Sequence, residues 1–301
     1  MKLNRETLLI ILAFFAIYVI WGSTYLLNKI AVSDIPPLFL SACRFVFAGL
    51  IIFVISKILN IPFQLTKKQF LNNALAGFLF LVYGNGVFVW ALQYVDTGFA
   101  ALEAASLPLV ILILMRVFYK QKIPKMALLG VLFGFAGIYL LVSQNSISTT
   151  NNSYIGILMI VSCIISWAFA SIFVSKADLH KNYFVNSGYQ MLLGGLLLAV
   201  FSFIVGEEWS SPFVWKNATI TSMLLLIIFG SIIAFTAFNF LLQKVSPEKV
   251  STSSYVNPLI AMILGWYVLD EKITLQSIIA AFILLLGVYF INSSKNKKVS
   301  E

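Results

Sequence analysis

The chain has 301 residues, 60% of them hydrophobic and only 10% charged, with a formal net charge of +9. That balance suits a polytopic membrane protein and excludes an ordinary soluble domain. The single histidine, His180, excludes a multi-histidine metal site. The two cysteines, Cys43 and Cys163, fall inside apolar segments and read as small apolar fillers, not as a reactive pair.

Lys2 and Arg5 precede an apolar run, as in a signal peptide. The run is too long for a signal core and contains Trp21, Ser23, Thr24 and Asn28, so it reads as the first span. Crossing ~30 Å of hydrocarbon at ~1.5 Å per residue takes about 20 residues. Segments of that order lie at 8–28, 37–56, 70–92, 98–118 and 126–143, and then at 154–175, 186–205, 219–242, 250–269 and 274–292. The uncharged stretch 144–153, rich in Ser, Thr and Asn, reads as a linker between a first repeat, 1–143, and a second, 154–301.

An offset of 150 residues supports that division. Leu92, Gln93 and Val95 return as Leu242, Gln243 and Val245; Pro108-Leu109 as Pro258-Leu259; Lys122-Ile123 as Lys272-Ile273; and Gly137 and Tyr139 as Gly287 and Tyr289. The first spans carry a fainter echo, Trp21 with Lys29 and Trp167 with Lys176. Charge placement tests the span count. With the N-terminus in the cytoplasm, only Lys29, Lys216 and Lys272 of the 20 basic residues fall outside; Arg44 lies within a span and the rest face inward. The lysines thus read as cytoplasmic anchors, and no nucleic-acid surface is expected. Five spans per repeat reverse the second repeat relative to the first. The expected fold is an all-α membrane protein of ten transmembrane helices in two inverted five-helix repeats, both termini cytoplasmic.

Trp21-Gly22-Ser23 in the first span, Arg44 in the second, Pro108 in the fourth, and Asn257-Pro258 followed by Asp270-Glu271-Lys272-Ile273-Thr274 around the ninth form an ordered set. In this set the chain resembles the drug/metabolite transporter superfamily, bacterial permeases with two EamA-type domains, over nearly its whole length. The resemblance implies a ten-helix transporter of the bacterial inner membrane that exports amino acids or other metabolites. The family often has Gly-Glu after the proline-containing span. Here the second copy has Asp270-Glu271 and the first has Lys120-Gln121, so capping or anchoring a span end is as good an account of the acid as a required role.

Arg44 and Glu103 are the formal charges deep in predicted spans. Intramembrane charges face a bundle interior or a watery cavity. Two readings fit: a structural ion pair, or a site in which Arg44 binds a substrate carboxylate and Glu103 carries a proton. Pro108 and Pro258 are candidate helix breaks, passive kinks or parts of the site. Tyr83, Asn85 and Trp90 form a polar face on the third span; Tyr189, Gln190, Phe235, Asn239, Tyr255 and Asn257 are the second-repeat candidates, and Trp21 and Trp167 recur in the first span of each repeat. Aromatics mixed with amides and hydroxyls suit a modestly polar organic solute better than a mineral ion.

The leading expectation is a secondary transporter, not an enzyme, that exports a small organic metabolite, with an amino acid as one candidate. No cofactor or metal is expected; proton coupling is an option, and the oligomeric state is open. The alternatives are a flippase for a lipid-linked substrate and a non-transporting membrane assembly subunit.

Overall fold

The structure, a computed structural model, describes residues 4–91, 94, 104, 106–143, 153–269 and 273–294, and the regular elements in them are helical. Helix α1 covers residues 5–31 and is capped by Asn4. Helix α2 (Pro37–Ile58) starts on a proline, whose missing N–H costs nothing in a first turn. Helix α3 (residues 67–91) opens with a reciprocal capping box between Thr66 and Gln69. Then come α4 (Leu107–Tyr119), α5 (Lys125–Val142), α6 (Ser153–Lys176) and α7 (Tyr183–Val205). Helix α7 stops at Gly206, whose φ of 80° is open to glycine without strain. After α8 (Asn217–Lys244), a single turn at Pro247–Val250 leads to α9 (Ser253–Leu269) and α10 (Leu275–Ser293).

Seven of these helices, all but α4, α5 and α9, are long and apolar enough to cross a membrane. The chain is an all-α, multi-pass membrane protein. The expectation of ten full-length spans therefore needs qualifying. The expected start of the fourth span, at 98, lies outside the described residues, and Pro108 falls in the first turn of α4. The ninth, expected from 250, begins three residues later because the backbone bends at Ser251 and Thr252. It carries Pro258 in its interior. Stretches of π-helix interrupt α1 at Ala16–Ile20, α3 at Phe78–Val87 and α8 at Leu226–Ile233.

The buried apolar side chains divide into two main clusters. The larger joins α1, α2, α3, α6, α7 and α8 through Ile17, Ile52, Phe80, Val174, Met191 and Phe238. The smaller joins α4, α5, α9 and α10 through Leu112, Ile138, Tyr255 and Leu284. Ile111 and Met115 of α4 connect them by packing on Ala168 and Ile172 of α6. Large apolar side chains such as Val54, Leu132, Leu158 and Phe282 remain exposed on the outer faces, where hydrocarbon is the solvent.

Two helix pairs come together at glycines. A Cβ on Gly49 of α2 would lie 2.8 Å from the Leu192 nitrogen of α7, and one on Gly195 of α7 would lie 2.7 Å from the Val46 nitrogen of α2. These are one contact with its partners exchanged, since 146 residues separate Gly49 from Gly195 and Val46 from Leu192. Similarly, a Cβ on Gly137 of α5 would lie 3.0 Å from the Leu284 nitrogen of α10, and one on Gly287 would lie 3.0 Å from that of Gly134. Here the offset is 150. Within each pair residue numbers run in opposite senses, so the paired helices are antiparallel.

Aspartates hold the corners at the two ends of the bundle. Where α8 begins, Asp34 accepts from the Lys216 backbone at 3.1 Å and from the Thr219 hydroxyl at 2.6 Å, and its other oxygen lies 3.1 Å from Lys216 Nζ. Nearby, Glu207 accepts from the Leu38 and Phe39 amides at 3.1 and 2.8 Å, placing a carboxylate at the N-terminus of α2. Where α3 begins, at the opposite end, Asp178 faces Lys68 Nζ at 3.7 Å and accepts from Gln69 Nε2 at 3.4 Å, a looser version of the Asp34 corner.

Two outcomes are expected. Gly195→Ala pushes a methyl against the α2 backbone, which cannot rotate aside, and should cost about 1–3 kcal/mol in detergent unfolding. The neighbouring, exposed Leu196→Ala should stay within about 0.5 kcal/mol; equal costs would contradict the packing account. Hydrogen bonds from Thr219 and then Lys216 hold the Asp34 carboxyl at about 2, against its ordinary 3.8. A folded value below the unfolded one means that its stabilisation is full above about pH 4 and is lost as pH falls through about 2. The melting difference between the native chain and Asp34→Asn should close over that window; a constant difference would contradict it.

Candidate functional site

Where α1, α3, α6 and α8 meet, five aromatic rings form a box. Trp21 follows the π turn of α1 and meets Trp167 of α6 edge-on, with centroids 6.4 Å apart, and Phe238 of α8 at 5.0 Å. Phe80, in the π stretch of α3, lies 4.9 Å from Trp167 and 6.0 Å from Phe235. Tilted and edge-to-face rings are favourable arrangements, and in them Phe80, Phe235 and Phe238 are almost fully buried. The Trp21 indole donates to the Gly230 carbonyl at 3.1 Å, inside the π stretch of α8. Such stretches recur at functional sites because they redirect backbone groups out of the helical ladder.

Arg44 reaches the same stretch from α2. Its Nε donates to the Ser231 hydroxyl at 2.7 Å, and its guanidinium carbon lies 5.1 Å from the Phe45 ring centre. A Cβ at position 230 would lie 3.0 Å from Arg44 Nη2, so Gly230 leaves room for the guanidinium. The residue is 9% exposed, and among the described residues no carboxylate comes within ion-pair distance. Of the five N–H donors of a guanidinium, the one on Nε has a described partner. A buried, unneutralised charge is costly, and such groups mark pathways through membranes.

A layer of amides lies nearer the end where α3 and α7 begin. Gln190 Nε2 donates to Asn73 Oδ1 at 3.0 Å, and Asn73 Nδ2 donates to Asn186 Oδ1 at 3.2 Å. Asn239 Nδ2 donates to the Ser187 hydroxyl at 3.1 Å. All five side chains are fully buried, and Gln190 Oε1 and Asn239 Oδ1 have no described partner. The 146-residue offset that pairs Gly49 with Gly195 also pairs Trp21 with Trp167, Ser41 with Ser187 and Arg44 with Gln190. The position that is cationic on α2 is thus a neutral amide on α7.

The expected site residues separate into distinct places. Trp21, Trp167 and Phe235 come together in the box, with Arg44 beside them. Gln190 and Asn239 belong to the amide layer. Tyr83 is exposed, with its hydroxyl donating to Ser162 at 3.2 Å. Tyr189 packs against Phe53 and Phe70 and donates to the Phe63 carbonyl at 3.0 Å. Asn85 is half-buried, and Trp90 packs on the larger core. Tyr255 is fully buried against Gly134, and Asn257 lines the approach of α9 to Gly22 of α1. Glu103 lies outside the described residues. Sequence reasoning missed Phe80, Phe238, Asn73, Asn186 and Ser187. The spacing of Phe235 and Phe238, three apart on one helix face, was the available signal for one of them. Among the described residues no group of His, Cys, Asp or Glu gathers to hold a metal.

The sequence pattern of the EamA-like transporter family matches residues 8–143 and again 154–293. The chain is 33% identical over 294 residues to the inner membrane transporter YedA of Escherichia coli K12, covering 97% of this chain and 93% of that one. It is 24% identical to the transporter YoaV of Bacillus subtilis, over 93% of this chain and 95% of the relative. A solved crystal structure with 17% identity superposes with a TM-score of 0.79, covering 95% and 96% of the two chains, a likeness of fold alone. The chain belongs to the EamA-like transporter family, within the drug/metabolite transporter superfamily, and its activity is secondary transport of small solutes across a membrane, not catalysis.

Proposed function

We propose that the chain exports small organic metabolites bearing a carboxylate, amino acids among them, by alternating access between two inverted five-helix repeats, 1–143 and 154–301, with both termini cytoplasmic. The E. coli relative is described as an inner membrane transporter, and the same membrane is assigned to this chain. The exchanged glycine contacts support the inverted arrangement, because equivalent helices that pack antiparallel require a twofold axis across them. In this orientation the Asp34 corner closes the outer face and the Asp178 corner the inner face. Either can part while the other holds.

The observation that carries the substrate reading is Arg44, a buried guanidinium beside an aromatic box, with donors to spare and no described acid. A carboxylate meets it in paired, charge-assisted hydrogen bonds, and the rings take the organic part. Arg44→Gln should weaken binding of L-phenylalanine to the purified protein by about tenfold or more, and binding of its amide by less than about threefold. Arg44→Lys should fall between, because an ammonium keeps the charge but not the paired geometry. Equal losses for acid and amide would sink the carboxylate reading. Trp21→Phe keeps a ring but loses the bond to Gly230. It should cost about 0.5–1.5 kcal/mol of stability and slow efflux from proteoliposomes. Unchanged melting would remove that bond from the account.

A further inference from the structure

The charge of Arg44 has a consequence for the energetics of transport. We propose that the voltage-sensitive step of the cycle is the return of the empty carrier, and that monoanionic carboxylates are thereby exported electrogenically down the membrane potential. The inference rests on the carboxylate reading of the same site.

The described surroundings of Arg44 are neutral: Ser231, the Gly230 backbone, the Phe45 face and the aromatic box. The described carboxylates sit elsewhere. Glu6 faces Lys244, Asp34 faces Lys216, Asp178 faces Lys68, and Glu207 caps α2. Glu208 lies exposed in the loop before α8, and Glu248 lies in the turn before α9. The position related to Arg44 by the repeat is Gln190, surrounded by Asn73, Asn186 and Ser187, so it contributes no balancing charge on the other side of the box. Counted over the described residues, Glu103 lying outside them, the empty site therefore carries one positive charge, and alternating access moves that charge relative to the two bulk phases.

The balance follows. With a monoanion bound, the site is neutral and the loaded step is indifferent to voltage. The empty site then returns inward with its positive charge, and a negative interior drives that step. One negative charge leaves per cycle. One charge over 100 mV shifts an equilibrium about fiftyfold. A zwitterion leaves the site positive in both steps, so voltage cancels over the cycle.

Phenylpyruvate and L-phenylalanine share a ring and a carboxylate and differ in net charge, which makes them the probes. In proteoliposomes of the full chain, valinomycin and a potassium gradient set the potential. Net phenylpyruvate efflux should rise several-fold at about 100 mV inside negative, while phenylpyruvate–phenylpyruvate exchange, which uses only the loaded step, should change by less than about 1.5-fold. In Arg44→Gln, or in Arg44→Ser if the first variant melts, exchange should become voltage-dependent, because the bound anion then travels uncompensated. Exchange in the native chain as sensitive as its net efflux would overturn the inference, since another group would then be cancelling Arg44. Net efflux indifferent to voltage would overturn it too. If neither probe is bound or moved at any voltage, the carboxylate reading itself fails.

Discussion

In a bilayer, helices gain nothing from hiding apolar surface from one another, because lipid tails are as apolar as leucine. What holds them is close contact and the few polar bonds they share. Here a Cβ on Gly77 of α3 would lie 2.5 Å from the Gln190 carbonyl oxygen of α7, and backbones also approach closely in the two antiparallel pairs, at Gly49 and Gly195 and at Gly130, Gly137 and Gly287. The rest of the architecture hangs from these two antiparallel pairs. Two of the helices around the aromatic box also meet closely at glycine on each side of it: Trp167 of α6 fills the space at Gly84 of α3, and Thr24 of α1 lies against Gly230 of α8.

The polar groups are placed by a different rule. Among the described residues, charged groups gather at helix ends and turns, where they cap amides or meet lysines, and inside the spans stand amides, hydroxyls and the Arg44 guanidinium. Burying neutral amides costs little when they bond one another, as Asn73, Asn186 and Gln190 do. Burying a guanidinium costs far more and is not offset by one serine. The protein keeps it where both the aromatic box and the π stretch of α8 converge. That concentration of unfavourable local choices in one place, in a fold that is otherwise locally consistent, is the ground for proposing a binding site there.

Much of this was legible in the sequence. The 150-residue offset announced the repeat, and Arg44, Trp21 and Trp167 stood out as polar or large residues in apolar runs. The offset of 146 in the first two helices of each repeat was harder to see. The loop between α7 and α8 is longer than that between α2 and α3, which shifts the register and blurs the match. The π stretches left no mark, because an extra residue in a turn has no compositional signature. Tyr83 and Tyr189 were grouped with the site because an all-apolar span gives no periodicity to tell the lipid face from the inner face. Glu103, half of the expected charge pair, falls among residues whose placement the structure leaves undescribed.

The chain has six tryptophans, and two of them, Trp21 and Trp167, meet edge-on at the centre of the box. Trp209 and Trp266, by contrast, lie at exposed positions toward helix ends or loops. The box therefore contains its own optical reporter. A solute bound at the proposed site would change both their surroundings and their coupling, while the exposed indoles would keep reporting their own surroundings. Replacing the other four tryptophans together, Trp90, Trp209, Trp215 and Trp266, would leave an emission spectrum from the box alone, without any dye being attached to the protein.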